Sequence, residues 1–278
     1  MPELPELQAH AERLDQRFGS TALERFDPLA FTALKTVLPR PDDAYGQALV
    51  FVGRRGKYLL ADFGTLTFVV HLMQGGRLRV DEKQAARPRG GLARWCFADG
   101  RAWLLTEAGR EHRAGVWAIA GDPEVQVPLA GLGPDADTLD PGRLLELAHR
   151  HPMRLHGFLR DQRALAGIGR RLANETCHRA KLSPFAATAK LGPAEAAALV
   201  EAIGVCVNES LAFERGRDDM SSSAERPGSV HHREGQACPV CGDTVSGVEY
   251  RAYTIDYCPT CQTGGRLLAD NTTSRFLK

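Results

Sequence analysis

Residues 238–261 read CPVCGDTVSGVEYRAYTIDYCPTC, and they decide how the C-terminal part of the chain is organised. Cys238-Pro239-Val240-Cys241 and Cys258-Pro259-Thr260-Cys261 are two C-x-x-C knuckles with sixteen residues between them, a length that suits a β-hairpin returning to its own start. Four thiolates at that spacing suit tetrahedral zinc and leave no open position for water, so the metal is expected to be structural rather than catalytic. A redox dithiol pair is the alternative, but it calls for a thioredoxin-like βαβ context that the flanking residues lack. Modules this small rarely fold without a staple. One Zn2+ on Cys238, Cys241, Cys258 and Cys261 is therefore expected to hold the segment 236–278 together.

Upstream of the knuckles, Arg215 to Glu234 is polar and rich in Ser, Arg and Gly. Such composition predicts mobility in the absence of a ligand; a cover over a ligand and a plain disordered connection both fit it. Before it the pattern is helical: Arg143–His151, Met153–Arg160, Arg170–Arg179, and a long helix from Pro193, a favourable first-turn residue, to about Phe213. The Gly/Pro/Asp-rich stretch from Gly131 to Gly142 reads as a linker. Ahead of the linker lie short strands at Gln47–Val52, Lys57–Asp62, Thr65–Leu72, Arg77–Val80, Trp95–Ala98, Ala102–Thr106 and Val116–Ala120, with Asp99-Gly100 as a hairpin turn. The expected fold class is α+β. It comprises an antiparallel β-sandwich with flanking helices (1–130), a linker (131–142), a helical domain (143–235) containing the 215–234 loop, and the cysteine hairpin (236–278).

A chain of 278 residues, 43% hydrophobic, can bury a sizeable core. No apolar run approaches the ~18 residues that span a bilayer, and the start of the chain carries charges where a secretory signal is apolar, so a cytoplasmic protein is expected. Cys96, Cys177 and Cys206 stand singly, which suits a reduced compartment and core positions better than a disulfide framework. The formal net charge is only +1, but residues 150–190 hold nine Lys/Arg against two Asp/Glu, while residues 1–49 hold five against eight. A basic face of this kind is either a phosphate-binding surface or simply solvated.

The start of the chain reads MPELPEL, residues 1–7. As an ordinary helix start, Pro5 sits acceptably in a first turn, Glu3 and Glu6 complement the helix dipole, and Leu4, Leu7, Leu14 and Phe18 form one stripe that Gly19 ends. A chemical reading fits the same residues. Removal of Met1 leaves Pro2 as a secondary amine that titrates near ~7.7–8.0 and is partly unprotonated at neutral pH. Its addition to an aldehyde-equivalent carbon, such as C1′ of a deoxyribose, gives an iminium that acidifies the neighbouring carbon and permits β-elimination. Within the basic region, residues 161–171 (DQRALAGIGRR) form a glycine-bearing turn opening a helix, whose backbone amides suit a phosphate, though a plain helix connection reads the same way.

Five motifs taken in order carry a resemblance over nearly the full length: MPELPE at 1–6, RRGKYL at 54–59, HLMQGGRL at 71–78, DQRALAGIG at 161–169 and CPTCQ at 258–262. The chain resembles the formamidopyrimidine-DNA glycosylase and endonuclease VIII family, whose members excise oxidised bases and cut the abasic strand. The resemblance implies a β-sandwich, a helix-two-turn-helix module and a zinc finger, with DNA in the cleft between the halves. It further implies Pro2 as Schiff-base nucleophile, Glu3 as the acid that helps open the sugar and release the base, and Glu6 as stabiliser of the iminium. Lys57 matches the lysine that reaches the phosphate or sugar beside the lesion, although an exposed strand lysine reads the same way. His71, Met73, Gln74, His112, Arg113, Gly169, Arg170 and Arg251 become DNA-contact candidates. An extruded nucleotide must be held by its flanking phosphates while unstacking costs a few kcal/mol.

The sequence departs from the family pattern in four places. The GIGN turn ends in Arg170, whose planar fork still suits a phosphate. Tyr253 stands where the zinc-hairpin arginine is expected, with Arg251 two residues earlier, so β-elimination is expected to persist while δ-elimination is in doubt. Gln74 follows Met73 at the wedge, and the loop 106–115 offers His112 and Arg113 in place of an inserted phenylalanine. The expected function is a monomeric bifunctional DNA glycosylase and abasic-site lyase of base excision repair, associated with the nucleoid, acting on double-stranded DNA with a damaged base or abasic site. An abasic-site or unusual-adduct lyase and a non-catalytic lesion-binding protein are the alternatives.

Overall fold

The computed structural model describes residues 1–108, 113–220, 225–250 and 253–268. The chain divides into two compact units, Met1–Gly131 and Leu132–Lys278.

The first unit opens with helix α1 (Leu4–Phe18), followed by strands β1 (Leu23–Pro28), β2 (Phe51–Arg55), β3 (Tyr58–Asp62), β4 (Thr67–His71), β5 (Gly76–Val80), β6 (Gly91–Phe97), β7 (Ala102–Glu107) and β8 (Gly115–Ile119). They form two four-stranded antiparallel sheets in the orders β1-β6-β7-β5 and β2-β3-β4-β8, the sandwich expected for this part of the chain. Its core is aromatic. Phe18 lies 4.9 Å from Phe97 and 5.1 Å from Trp103, while Phe26 packs 5.0 Å from Trp95 and 5.1 Å from Phe68. Such pairs add about 0.5–1.5 kcal/mol each beyond area burial. Leu4, Leu7, Leu14 and Phe18 are all buried, so the stripe on α1 is its core face, and α1 packs against β2 and β3.

Strand β1 is an element the sequence pattern misses. Its buried residues, Leu23 and Phe26, are three apart because the register slips between Leu23 and Arg25. That slip breaks the period-2 signal, and Pro28 at the strand end weakens it further. A second slip near Gly91 likewise hides the start of β6, which begins four residues before the expected Trp95.

The second unit contains α2 (Pro141–Arg150), α3 (Leu155–Arg160), α4 (Arg170–Arg179), α5 (Pro193–Arg215), the hairpin β9 (Ser246–Tyr250) with β10 (Tyr253–Tyr257), and α6 (Pro259–Thr263). The stretch read as a linker is tied down at several points. Gly133 N–H donates to Gln162 O and Ala136 N–H to Ala166 O, and α2 already starts at Pro141, capped by the Asp140 carboxylate on Arg143 N. Helix α5 is long and apolar enough by composition to cross a bilayer. Instead, its stripe of Leu199, Ala202, Ile203, Cys206 and Val207 is buried, and it packs against α2 and α4.

Helix α4 organises this unit. Its inner face carries polar side chains that reach chain segments far away in sequence. Glu175 accepts the backbone N–H groups of Ser229, Val230 and His231 at 2.8–3.1 Å. Asn174 Nδ2 donates to Asp256 Oδ2 on β10 at 3.1 Å, and His232 N–H donates to the same oxygen at 2.9 Å. Arg171 Nη2 donates to Arg226 O at 2.7 Å. The strap 226–233, the C-terminal half of the segment read as mobile, is thus fixed by α4 and β10 side chains. His232 there takes a left-handed conformation at φ 58°, and Ser221 to Ser223 lie outside the described residues. Removing the Glu175 carboxylate leaves three amides without their acceptor. Glu175→Ala is expected to cost on the order of 2–4 kcal/mol. In amide exchange it should raise the rates of Ser229, Val230 and His231 selectively; unchanged exchange at these three residues would contradict the account.

Candidate functional site

The residues singled out at the start of the chain meet at the beginning of α1. Glu3 is the N-cap and Glu6 the third helical residue. Glu3 N–H donates to Glu6 Oε2 at 3.0 Å, so the Glu6 carboxylate reaches back to the backbone of the N-cap residue. Both carboxylates are buried, at 6% and 4% exposure. Pro2, half-buried, precedes the cap and so stands outside the helical hydrogen-bond ladder. Glu6 therefore caps the backbone at the helix start, and both residues hold buried carboxyl groups close to the second residue.

Lys57 lies in the two-residue turn between β2 and β3, after Gly56 at φ 54°, and is 9% exposed. Next to it, Tyr58 pairs with His71 across β3 and β4, with rings 4.5 Å apart. Burial, with the Lys57 charge adding to it, pushes the His71 pKa down to about 4. His71 is neutral at physiological pH. Its Nδ1 accepts Met73 N–H at 3.1 Å, which leaves the ring proton on Nε2. Met73 takes φ 51° and is half-buried, and Gln74 after it is exposed. The turn closes with Gly76 N–H on Leu72 O, and a Cβ on Gly76 would lie 2.2 Å from that oxygen, so a residue with no side chain is required there. The far side of the same region is held by buried Glu107, whose Oε2 accepts Ala114 N–H at 2.7 Å. Arg113 beside it is exposed, and His112 lies outside the described residues.

In the second unit, Gly169 caps α4 and Arg170 is its first residue. The preceding turn is stitched by Gln162. Its Oε1 accepts Gly167 N–H at 3.0 Å, and its Nε2 donates to Arg160 O and Ile168 O at 2.8 and 3.0 Å. One side-chain amide thereby sets the backbone that aims the α4 N-terminus. Tyr253 stacks on Tyr250 at 5.1 Å and carries the Arg160 guanidinium 4.3 Å above its ring. The His156 ring stacks 6.1 Å from it, and burial and then the Arg160 charge push the His156 pKa down to about 3. Arg251 lies outside the described residues.

The knuckles converge. Cys238 and Cys261 Sγ are 3.9 Å apart, and Cys241 and Cys258 Sγ are 3.4 Å apart. Tetrahedral zinc with bonds of ~2.3 Å places sulfurs about 3.8 Å from one another, so these thiols fit the ion. Asp243 Oδ2 accepts both Thr260 N–H and its hydroxyl, joining one knuckle to the other. Buried Gln262 accepts Cys258 N–H and donates to Leu182 O just past α4. His178 of α4 is also present, with Nε2 3.3 Å from Cys238 Sγ. It belongs with Cys238, Cys258 and Cys261 to a set whose donor atoms all lie within 4.8 Å of each other.

Gln162, Asn174, Glu175, His178 and Asp256 were not legible as functional positions. Gln162 lies inside a recognised motif. The others act on partners 24 to 82 positions away, and no local pattern signals such pairs.

The formamidopyrimidine-DNA glycosylase N-terminal domain family matches residues 1–111. A formamidopyrimidine-DNA glycosylase of Thiobacillus denitrificans is 30% identical over 273 residues, spanning 94% of this chain and all of that protein. A formamidopyrimidine-DNA glycosylase-like protein of Mycobacterium tuberculosis is 40% identical over 162 residues, 58% of this chain and the whole of that one. Among solved structures, the MutM (Fpg) protein of Thermus thermophilus superposes with TM-score 0.79 at 24% identity, covering 94% of this chain and 98% of that one. Lactococcus lactis formamidopyrimidine-DNA glycosylase bound to abasic-site DNA superposes at 0.81 and 20% identity, covering 94% and 99%. With this fold, these motifs and a relative aligned end to end, the chain belongs to the formamidopyrimidine-DNA glycosylase family.

Proposed function

We propose that this protein is a bifunctional DNA glycosylase and abasic-site lyase that works through an N-terminal proline Schiff base on double-stranded DNA. The observation that carries the reading is the start of α1, where Glu6 Oε2 accepts Glu3 N–H. It buries two carboxyl groups, one at the residue that follows Pro2 and one three residues further on, while keeping Pro2 out of the helix. With Met1 removed, the Pro2 nitrogen lone pair attacks C1′ of the damaged nucleotide. Glu3, as the acid, delivers a proton as the sugar ring opens and the base departs with the bonding electrons of the glycosidic bond. The resulting iminium draws electrons from C2′; a C2′ proton is lost, the C3′–O bond breaks, and the 3′-phosphate leaves. Water then hydrolyses the iminium and frees Pro2. Glu6, anchored on the Glu3 backbone, holds negative charge near the cation.

Lys57 and the neutral Nε2–H of His71 are phosphate donors in this reading, and Met73 and Gln74 on their glycine-closed turn fill the space of the extruded base, with Arg113 beside them. The amides that follow Gly169, with Arg170, grip a further phosphate at the α4 N-terminus. Zinc on the four cysteines supplies structure rather than chemistry. Sodium borohydride added with an abasic duplex is expected to give a covalent adduct mapping to the N-terminal peptide; no adduct, or one mapped elsewhere, sinks the enzymatic reading and leaves a lesion-binding protein. Glu3→Gln is expected to slow base excision by about 10²–10³-fold while adduct formation on a preformed abasic site persists.

Tyr253, stacked under Arg160 where the family places an arginine, favours a lyase that stops after β-elimination. Gel analysis should then show the 3′-unsaturated aldehyde end as the main product. A predominant 3′-phosphate end, the δ-elimination product, would refute that assignment.

The buried neutral His71 also makes a pH prediction. The unfolded imidazole takes up a proton near 6.5, the folded one near 4, so the unfolded state binds more protons between these values. Stability is then lost as pH falls from about 6.5 towards 4, by on the order of 2 kcal/mol from this group. Urea unfolding at pH 7 and pH 4.5 should show a smaller drop in His71→Asn than in the wild type; equal drops would remove His71 from the account.

A further inference from the structure

The thiol cluster has more donors than a tetrahedral ion can use. Cys238, Cys258 and Cys261 form its inner three, buried or half-buried, whereas Cys241 is exposed. His178, 5% exposed on the inner face of α4, reaches the cluster as well. For a zinc with Zn–S bonds of ~2.3 Å and a Zn–N bond of ~2.0–2.1 Å, tetrahedral geometry sets N···S at about 3.5 Å. Nε2 of His178 stands 3.3 Å from Cys238 Sγ, and a ring nitrogen of His178 lies within 4.8 Å of the Cys258 and Cys261 sulfurs. The imidazole is therefore at ligand spacing from Cys238 and near the other two sulfurs. A pocket of about 240 Å3, lined by His178, Cys261, Glu175 and Ser229 among others, lies beside it and gives the ring room to turn.

We infer that His178 is a reserve fourth ligand of the zinc, which replaces the solvent-facing Cys241 and converts a site of four thiolates into one of three thiolates and an imidazole without loss of the metal. While all four thiolates are bound, Nε2–H donates to the Cys238 thiolate and supports it from outside the coordination sphere. In the exchanged site the ring proton moves to Nδ1, the Nε2 lone pair binds the ion, and the Cys241 sulfur, once released, takes a proton from solvent. Because His178 belongs to the helix whose N-terminus bears Gly169 and Arg170, the exchanged site joins that helix directly to both knuckles. The metal then cross-links three chain segments instead of two.

Metal content and cobalt spectra of the full-length chain test this. Wild type, Cys241→Ala and His178→Ala should each retain one zinc after gel filtration, and the double variant should retain none. With Co2+ in place of zinc, Cys241→Ala should lose about a quarter of the thiolate charge-transfer intensity and shift its d–d bands to shorter wavelength, as a ligand set of three sulfurs and one nitrogen requires. Adding His178→Ala should abolish that spectrum. A Cys241→Ala chain without metal, or one whose cobalt spectrum is indifferent to His178, overturns the inference. A second measurement avoids folding defects: iodoacetamide alkylation of folded protein, mapped by mass spectrometry to Cys241, should leave zinc bound in the wild type and release it from His178→Ala. Release from both overturns the proposal.

Discussion

Three backbone amides converging on the Glu175 carboxylate set the architecture of the second unit. A strap with no regular secondary structure has no ladder in which to place its N–H groups, and buried amides without acceptors cost free energy comparable to lost hydrogen bonds. Helix α4 supplies the acceptor. Its neighbouring side chains then complete the task, with Arg171 taking strap carbonyls, Asn174 reaching Asp256 on the hairpin, and His178 meeting a knuckle sulfur. One short helix consequently fixes the direction of the Gly169-Arg170 turn, the path of the strap and the seat of the cysteine hairpin. The first unit reaches comparable precision differently. There the aromatic core fixes the sandwich, and turns at Gly56 and Gly76, where side chains are excluded or φ is positive, set Lys57, His71 and Met73 at the strand ends.

How much of this could be read from the residues alone depends on the range of the interaction. The α4 span was legible residue for residue, because Gly169 before it and the arginines around its ends are local signals. The two knuckles and their hairpin were equally legible, since spacing encodes the return of the chain. The sandwich was legible as a class, but β1 was not, because a register slip replaces its alternation with a three-residue interval. The 131–142 stretch reads as a linker from its Gly, Pro and Asp content, yet its backbone pairs with residues 162 and 166, contacts that composition does not report.

The candidate site divides along the same line. Pro2, Glu3 and Glu6 are close in sequence, and the Glu6 carboxylate that reaches back to Glu3 N–H follows a local helix-start pattern. Gln162, Glu175 and His178 were missed because their partners are held by tertiary structure. Polar residues on a helix ordinarily mark its solvent side, but on α4 Arg171, Asn174, Thr176 and His178 are buried. Helix α4 buries Leu172, Ala173 and Cys177 as an apolar face would, but Arg171, Asn174 and His178 are buried with them, and hydrogen-bond complementarity makes that possible.

The aromatic core of the sandwich has an optical consequence. All three tryptophans, Trp95, Trp103 and Trp117, fall within the first unit, and none lies between Leu132 and Lys278. Indole emission from this protein therefore reports the sandwich alone. The hairpin carries Tyr250, Tyr253 and Tyr257, but Tyr45 and Tyr58 lie in the first unit, so it is the indole signal and not the phenol signal that is confined to one half of the chain.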